Sequence, residues 1–180
     1  MDEQMKIIGI DPGYAIVGWG VVSYNRTKFT TLDYGAITTH ASMPFEQRLL
    51  AVYNELDLLL RMHKPDAMSV EKLFFSNNQK TAIDVAQARG VILLAATQHG
   101  IPCYQYTPLQ VKLSVVGYGK AVKSQVMEMT KRLLHLKEVP KPDDTADALA
   151  IAITHAHSFN SRISSVSLEQ RIRLAERKYR

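Results

Sequence analysis

The segment from Phe45 to Leu60 constrains the fold most. Phe45, Leu49, Val52, Tyr53, Leu56, Leu59 and Leu60 recur at helical spacing, and the pattern ends at Pro65. Short β-rich runs stand on either side of this amphipathic helix, "MKIIGI" upstream and "DAMSVEK" directly after it. A strand reached through a helix can lie parallel to the first strand, so an α/β sheet is expected.

The remaining elements fit around that unit. "MKIIGI" stops at "DPG", where Pro12 fixes φ and Gly13 supplies conformational freedom, so the first strand ends at Asp11. "YAIVGWGVVSY" and "KFTTLDYGAIT", divided by the polar turn "NRT", make two more strands in an antiparallel meander. "DAMSVEK" places Glu71 near the C-terminal end of the fourth strand, and the loop "LFFSNNQ" leads into the helix "KTAIDVAQARGVILLAATQHG". "IPCYQYT" is a fifth strand, followed by the short helix "PLQVKLSVVG", a turn, the amphipathic helix "KSQVMEMTKRLLHL" and the acidic-then-apolar stretch "PDDTADALAIAIT". The expected architecture is a five-stranded mixed sheet with strands 1–3 as an antiparallel meander and strands 1, 4 and 5 parallel, flanked by helices. From about residue 158 the pattern decays, which divides a domain over 1–158 from a basic tail over 159–180, disordered or helical.

Composition narrows the function classes. A chain of 180 residues with 46% hydrophobic content suits one domain. The lone Cys103 forms no internal disulfide, and the six histidines make no zinc pattern. The acidic start "MDEQMKIIGI" is unlike a secretory leader, and no apolar run approaches the roughly 18 residues of a membrane span. A cytoplasmic protein is expected. Charge is unevenly placed: residues 107–141 carry seven bases against two acids and residues 161–180 six against two, whereas 142–160 hold three acids and no Lys or Arg. Basic flanks around clustered carboxylates are what an enzyme acting on a polyanion needs, though solvated faces also look like this.

Sites in open α/β sheets form at the carboxyl ends of parallel strands, where both Asp11 and Glu71 fall. Asp144 and Asp147, three residues apart, share one face of a helix whose Ala148, Leu149, Ile151 and Ile153 bury against the sheet. Taken alone, this "DxxD" reads more readily as an N-cap with a capping-box partner, and Asp143 as a cap or a solvent-facing acid. Taken together, four carboxylates at one sheet edge cannot all stay ionised without a counter-charge. Hard oxygen ligands without His or Cys suit Mg²⁺ or Mn²⁺. Two such ions about 4 Å apart can activate water and stabilise the leaving oxygen of a phosphodiester. Phosphodiester hydrolysis is the chemistry this pattern suggests.

"IIGIDPGYAIVGWGVV", "VEKLFFSNN", "AQARGVILLAA", "VKLSVVGYGKAVKSQV" and "DDTADALAIAITH", in this order, resemble the RuvC family of crossover junction (Holliday junction) endodeoxyribonucleases. The resemblance covers roughly residues 5–157. It implies an RNase H-like fold, a homodimer, dependence on Mg²⁺ or Mn²⁺, paired nicks in opposite strands of a four-way DNA junction, and work beside the branch-migration proteins RuvA and RuvB. By the same resemblance Asp11, Glu71, Asp144 and Asp147 are the catalytic, metal-holding acids. Lys112 and Lys123 then contact the DNA backbone, and Phe74 stacks at the unpaired centre of the junction. The apolar helix over 80–98 either buries within one subunit or, as the family implies, helps form the dimer interface. His155 shares the helical face of Asp144, but a partly buried, hydrogen-bonded role suits it better than a metal site.

Other readings predict other substrates. A different RNase H-like nuclease would cut RNA or an RNA:DNA hybrid. Sugar and acetate kinases also end their first strand in an acidic, glycine-containing loop but need two such domains. A junction-binding module without catalysis would be repelled from DNA by four acids lacking metal.

Overall fold

Each half of the expected architecture is present in the computed structural model, which describes residues 4–72 and 79–160. The strands are β1 (Met5–Asp11), β2 (Ile16–Tyr24), β3 (Phe29–Thr38), β4 (Ala67–Glu71) and β5 (Cys103–Tyr106). The helices are α1 (Phe45–His63), α2 (Gln79–Gln98), α3 (Pro108–Val115), α4 (Lys123–Leu133) and α5 (Asp143–Asn160). The sheet order is β3-β2-β1-β4-β5. β1, β2 and β3 form the antiparallel meander, and β4 runs parallel to both β1 and β5. α5 ends two residues beyond the boundary expected at 158; the stretch over 161–180 and Phe74 lie outside the described residues.

The sheet is covered on both faces, so β1 is buried almost end to end and its alternation is read from what each residue meets. Ile8 and Ile10 join Val52, Leu56 and Leu60 of α1 and Ile92 of α2 on one side. Ile7 joins Leu149, Ile153 and Val126 on the other, under α4 and α5. Residues two apart share a face, so Ile7, Gly9 and Asp11 all point toward α5.

Local signals fix where the elements start and stop. α1 ends at Lys64 in the left-handed conformation, whose N–H donates to the Leu60 carbonyl just ahead of Pro65. α3 opens with Pro108 at its first turn and a capping box between Thr107 and Gln110. α2 is not wholly buried: Ala88, Ile92, Ala95 and Ala96 face the core, but Ile83 and Leu94 are more than half exposed. Among the described residues no helix is long and apolar enough to cross a membrane.

Candidate active site

Strand register brings the first two acids together. β1 and β4 pair in parallel from Ile7 with Ala67 to Ile10 with Val70. Carried one residue further, the same register sets Asp11 beside Glu71 at the carboxyl ends of both strands, and the Glu71 charge is felt at Asp11. The antiparallel partner of Asp11 on its other side is Gly18.

Gly18 also explains how α5 delivers the remaining acids. A Cβ at Gly18 would collide with the backbone of Asp144, and one at Gly9 with the backbone of Ala148 and Ala152. These two strand glycines let the first turns of α5 rest directly on the sheet, beside Asp11. Sequence reasoning missed their role, although glycine inside a strand pattern is the usual sign of a close backbone approach. Replacing Gly18 with Ala would push the start of α5 outward. The expected cost is about 1–3 kcal/mol of stability, with nuclease activity lost out of proportion because Asp144 and Asp147 move together. Thermal melts and cleavage rates on the same preparation would check this, and unchanged values for both would refute the packing argument.

The electrostatics show three of the carboxylates, Asp11, Glu71 and Asp147, raised in one another's company. The Asp11 carboxyl is pushed up to about 8, first by burial and then by the negative charges of Glu71, Asp147 and Asp144, with Lys123 opposing. Burial followed by the Asp147 charge also raises Glu71, again against Lys123. Burial raises Asp147 too, even though its hydrogen bond and ion pair with Lys123 pull the other way. Burial, helped by the charges of Asp144 and Asp143, outweighs a close cationic partner at this position.

Lys123, the first residue of α4, places Nζ 2.9 Å from Asp147 Oδ2 and 3.6 Å from Asp143 Oδ2. Asp143 is the first residue of α5 and its side chain is 58% exposed, so it faces solvent as expected, but its carboxylate also reaches Lys123. Asp144 lies within the first turn, not ahead of it, and its charge is felt at Asp11. Glu71, Asp147, Lys112 and Lys123 line one cleft of about 200 Å³, closed on its apolar side by Val111, Val126 and Ile151. Lys112 and Lys123 thus share a wall with two of the acids. His155 is buried, with its Nδ1 2.8 Å from the Tyr106 hydroxyl and its Nε2 without a hydrogen-bond partner among the described residues.

The donor set fits a hard divalent cation. Every side-chain donor is a carboxylate oxygen, and Asp11 stays raised, first by burial and then by its acidic neighbours, despite the opposing charge of Lys123. Among the described residues, no three His, Cys, Asp or Glu side chains already converge closely enough to enclose an ion, and Asp147 is engaged by Lys123. The residue types suit the ion, and side-chain closure is what binding would add.

The fold also appears in known proteins. The model of the crossover junction endodeoxyribonuclease RuvC family matches residues 7–155. The chain belongs to the RuvC family. It is 59% identical over 154 residues to the RuvC of Ruminiclostridium cellulolyticum, covering 86% of this chain and 93% of that protein. The solved structure of Thermus thermophilus RuvC is 37% identical, spans 87% of this chain and 96% of its own, and superposes with a TM-score of 0.81. The structure of T. thermophilus RuvC in complex with Holliday junction substrate is 35% identical over 88% and 96%, with a TM-score of 0.80. RuvC membership and the RNase H-like sheet agree with the resemblance read from the five sequence motifs.

Proposed function

We propose that this chain resolves Holliday junctions during recombination and repair, by paired, symmetric, metal-dependent nicks in opposite DNA strands. The observation that carries the reading is the meeting of acids from three separate elements, β1, β4 and α5, around Asp11 in a chain of the RuvC family. Asp11, Glu71, Asp144 and Asp147 are the catalytic residues and would together hold Mg²⁺ or Mn²⁺, two ions per site. When bound, such ions supply an activated water and charge stabilisation for the leaving oxygen.

The chain's own residues do the rest. Burial around Asp11 and Glu71 limits water around the carboxylates and strengthens each charge interaction. Lys112 and Lys123, on the wall of the cleft, hold the DNA backbone by charge and carry no sequence information. Phe74 would stack on a base at the open centre of the junction, a contact worth roughly 1–3 kcal/mol. The exposed Ile83 and Leu94 of α2 suit a homodimer interface, and a two-fold pair of sites matches the two-fold symmetry of a four-way junction. RuvA and RuvB are the expected partners.

An end-labelled immobile four-way junction incubated with the full chain and Mg²⁺ tests this directly. Symmetric nicks near the crossover are expected, with none in the presence of EDTA. Preferential cleavage of an RNA:DNA hybrid duplex would overturn the substrate assignment.

A further inference from the structure

Lys123 offers one ammonium to two carboxylates with different surroundings. Asp147 is largely shielded, with 30% of its side chain exposed, and stands among the site acids; Asp143 is 58% exposed and outside them. The two are four residues apart on α5 and therefore stacked on one helical face. The ammonium lies across this step, 2.9 Å from the inner carboxylate and 3.6 Å from the outer one. A short swing of the lysine stem exchanges its main partner, since this long side chain has several rotatable bonds and only half of it is covered.

An ammonium on Asp147 Oδ2 and a divalent cation on the same carboxylate disfavour each other, because they compete for that oxygen and repel across a short distance. We propose that Asp143 is a positioning residue that draws Lys123 off Asp147, and so sets how readily Asp147 accepts a divalent cation. With Lys123 on Asp143, Asp147 Oδ2 is released while the ammonium remains on the cleft wall beside Lys112, available to a DNA phosphate. With Asp143 removed, Asp147 is the one partner of this pair left to Lys123. The inference rests on reading Asp147 as a metal ligand.

Asp143 also carries a plain negative charge near the site, which would favour a cation without any help from Lys123. A double-mutant cycle separates the two effects. Mn²⁺ affinity is measured on the full-length protein from the electron paramagnetic resonance signal of free Mn²⁺, with melting temperatures confirming that each variant folds. Lys123→Met should tighten Mn²⁺ binding. Asp143→Asn should weaken it by about two- to fivefold in the native background, the scale of a partly exposed ion pair, and leave it unchanged when Lys123 is already Met. Equal weakening in both backgrounds would show simple charge attraction and overturn the proposal, as would an unchanged or tightened affinity in Asp143→Asn alone. Asp147→Asn serves as the control for the underlying reading: if it leaves Mn²⁺ binding intact, the metal-ligand assignment fails and the Asp143 role fails with it.

Discussion

Asp11→Asn is expected to lower the single-turnover rate of junction cleavage by about a thousandfold or more, while four-way junction binding in the presence of Ca²⁺ or EDTA stays within a few-fold of the native protein. Asp11 is the residue on which Glu71, Asp147 and Asp144 all act, and it sits at the end of a strand paired on both sides. The amide is nearly isosteric, so the backbone position and the packing of α5 on Gly18 should persist. What is lost is the carboxyl on which the other three acids act. Junction binding, on the proposed reading, depends instead on Lys112, Lys123 and the basic surface, and removing an acid near DNA does not weaken that attraction. Cleavage within tenfold of the native rate would remove Asp11 from the catalytic set.

How much of this was legible in the sequence varies with the physics of each part. The β-α-β unit around Phe45–His63 was readable because helical periodicity and Pro65 are local signals, and the parallel pairing of β1 with β4 follows from the connection. The pairing of Asp11 with Glu71 was conditional in the sequence, since neighbouring strands had to be assumed; register supplies it. The "DxxD" of α5 was ambiguous for a different reason. Acids in a first helical turn are stabilised by the helix dipole whether or not they bind anything, so type and spacing alone cannot separate a cap from a ligand. What separates them is contact across the fold: Gly18 lies under the Asp144 backbone, and Asp144 and Asp147 raise Asp11. The Lys123 ion pairs were equally invisible, because α4 and α5 meet only in three dimensions.

The cluster that suits a cation should make the metal-free protein less stable as the pH rises. Asp11 titrates near 3.8 when exposed and is pushed up to about 8 in the fold, so between these values the unfolded chain releases a proton that the folded chain keeps. The folded state is thus penalised progressively as pH climbs from about 4 to about 8, and Glu71 and Asp147, also raised, act in the same direction. Burial lowers His155 to about 4, with the opposite consequence: its penalty is absent above about 6.5 and grows as pH falls toward 4. The two trends oppose each other below about 6.5, so the net decline is concentrated between about pH 6.5 and 8. About 1.5 pH units of the Asp11 window lie between 6.5 and 8, so the decline there is on the order of 1–2 kcal/mol, or several degrees in melting temperature for a domain of this length. In EDTA, native protein should therefore melt markedly lower at pH 8 than at pH 6.5, whereas Asp11→Asn should hold nearly constant across that window and exceed the native protein at pH 8. Mn²⁺ should restore the native protein at pH 8 by mass action and do far less for the variant. Calorimetric melts at the two pH values, with and without Mn²⁺, give all four comparisons; a native melting temperature independent of pH from 6.5 to 8 in EDTA would mean the Asp11 carboxyl is not held neutral by its neighbours. The same substitution expected to silence the nuclease is thus expected to stabilise its metal-free fold, because it removes a carboxyl that burial and three acidic neighbours disfavour in its ionised form.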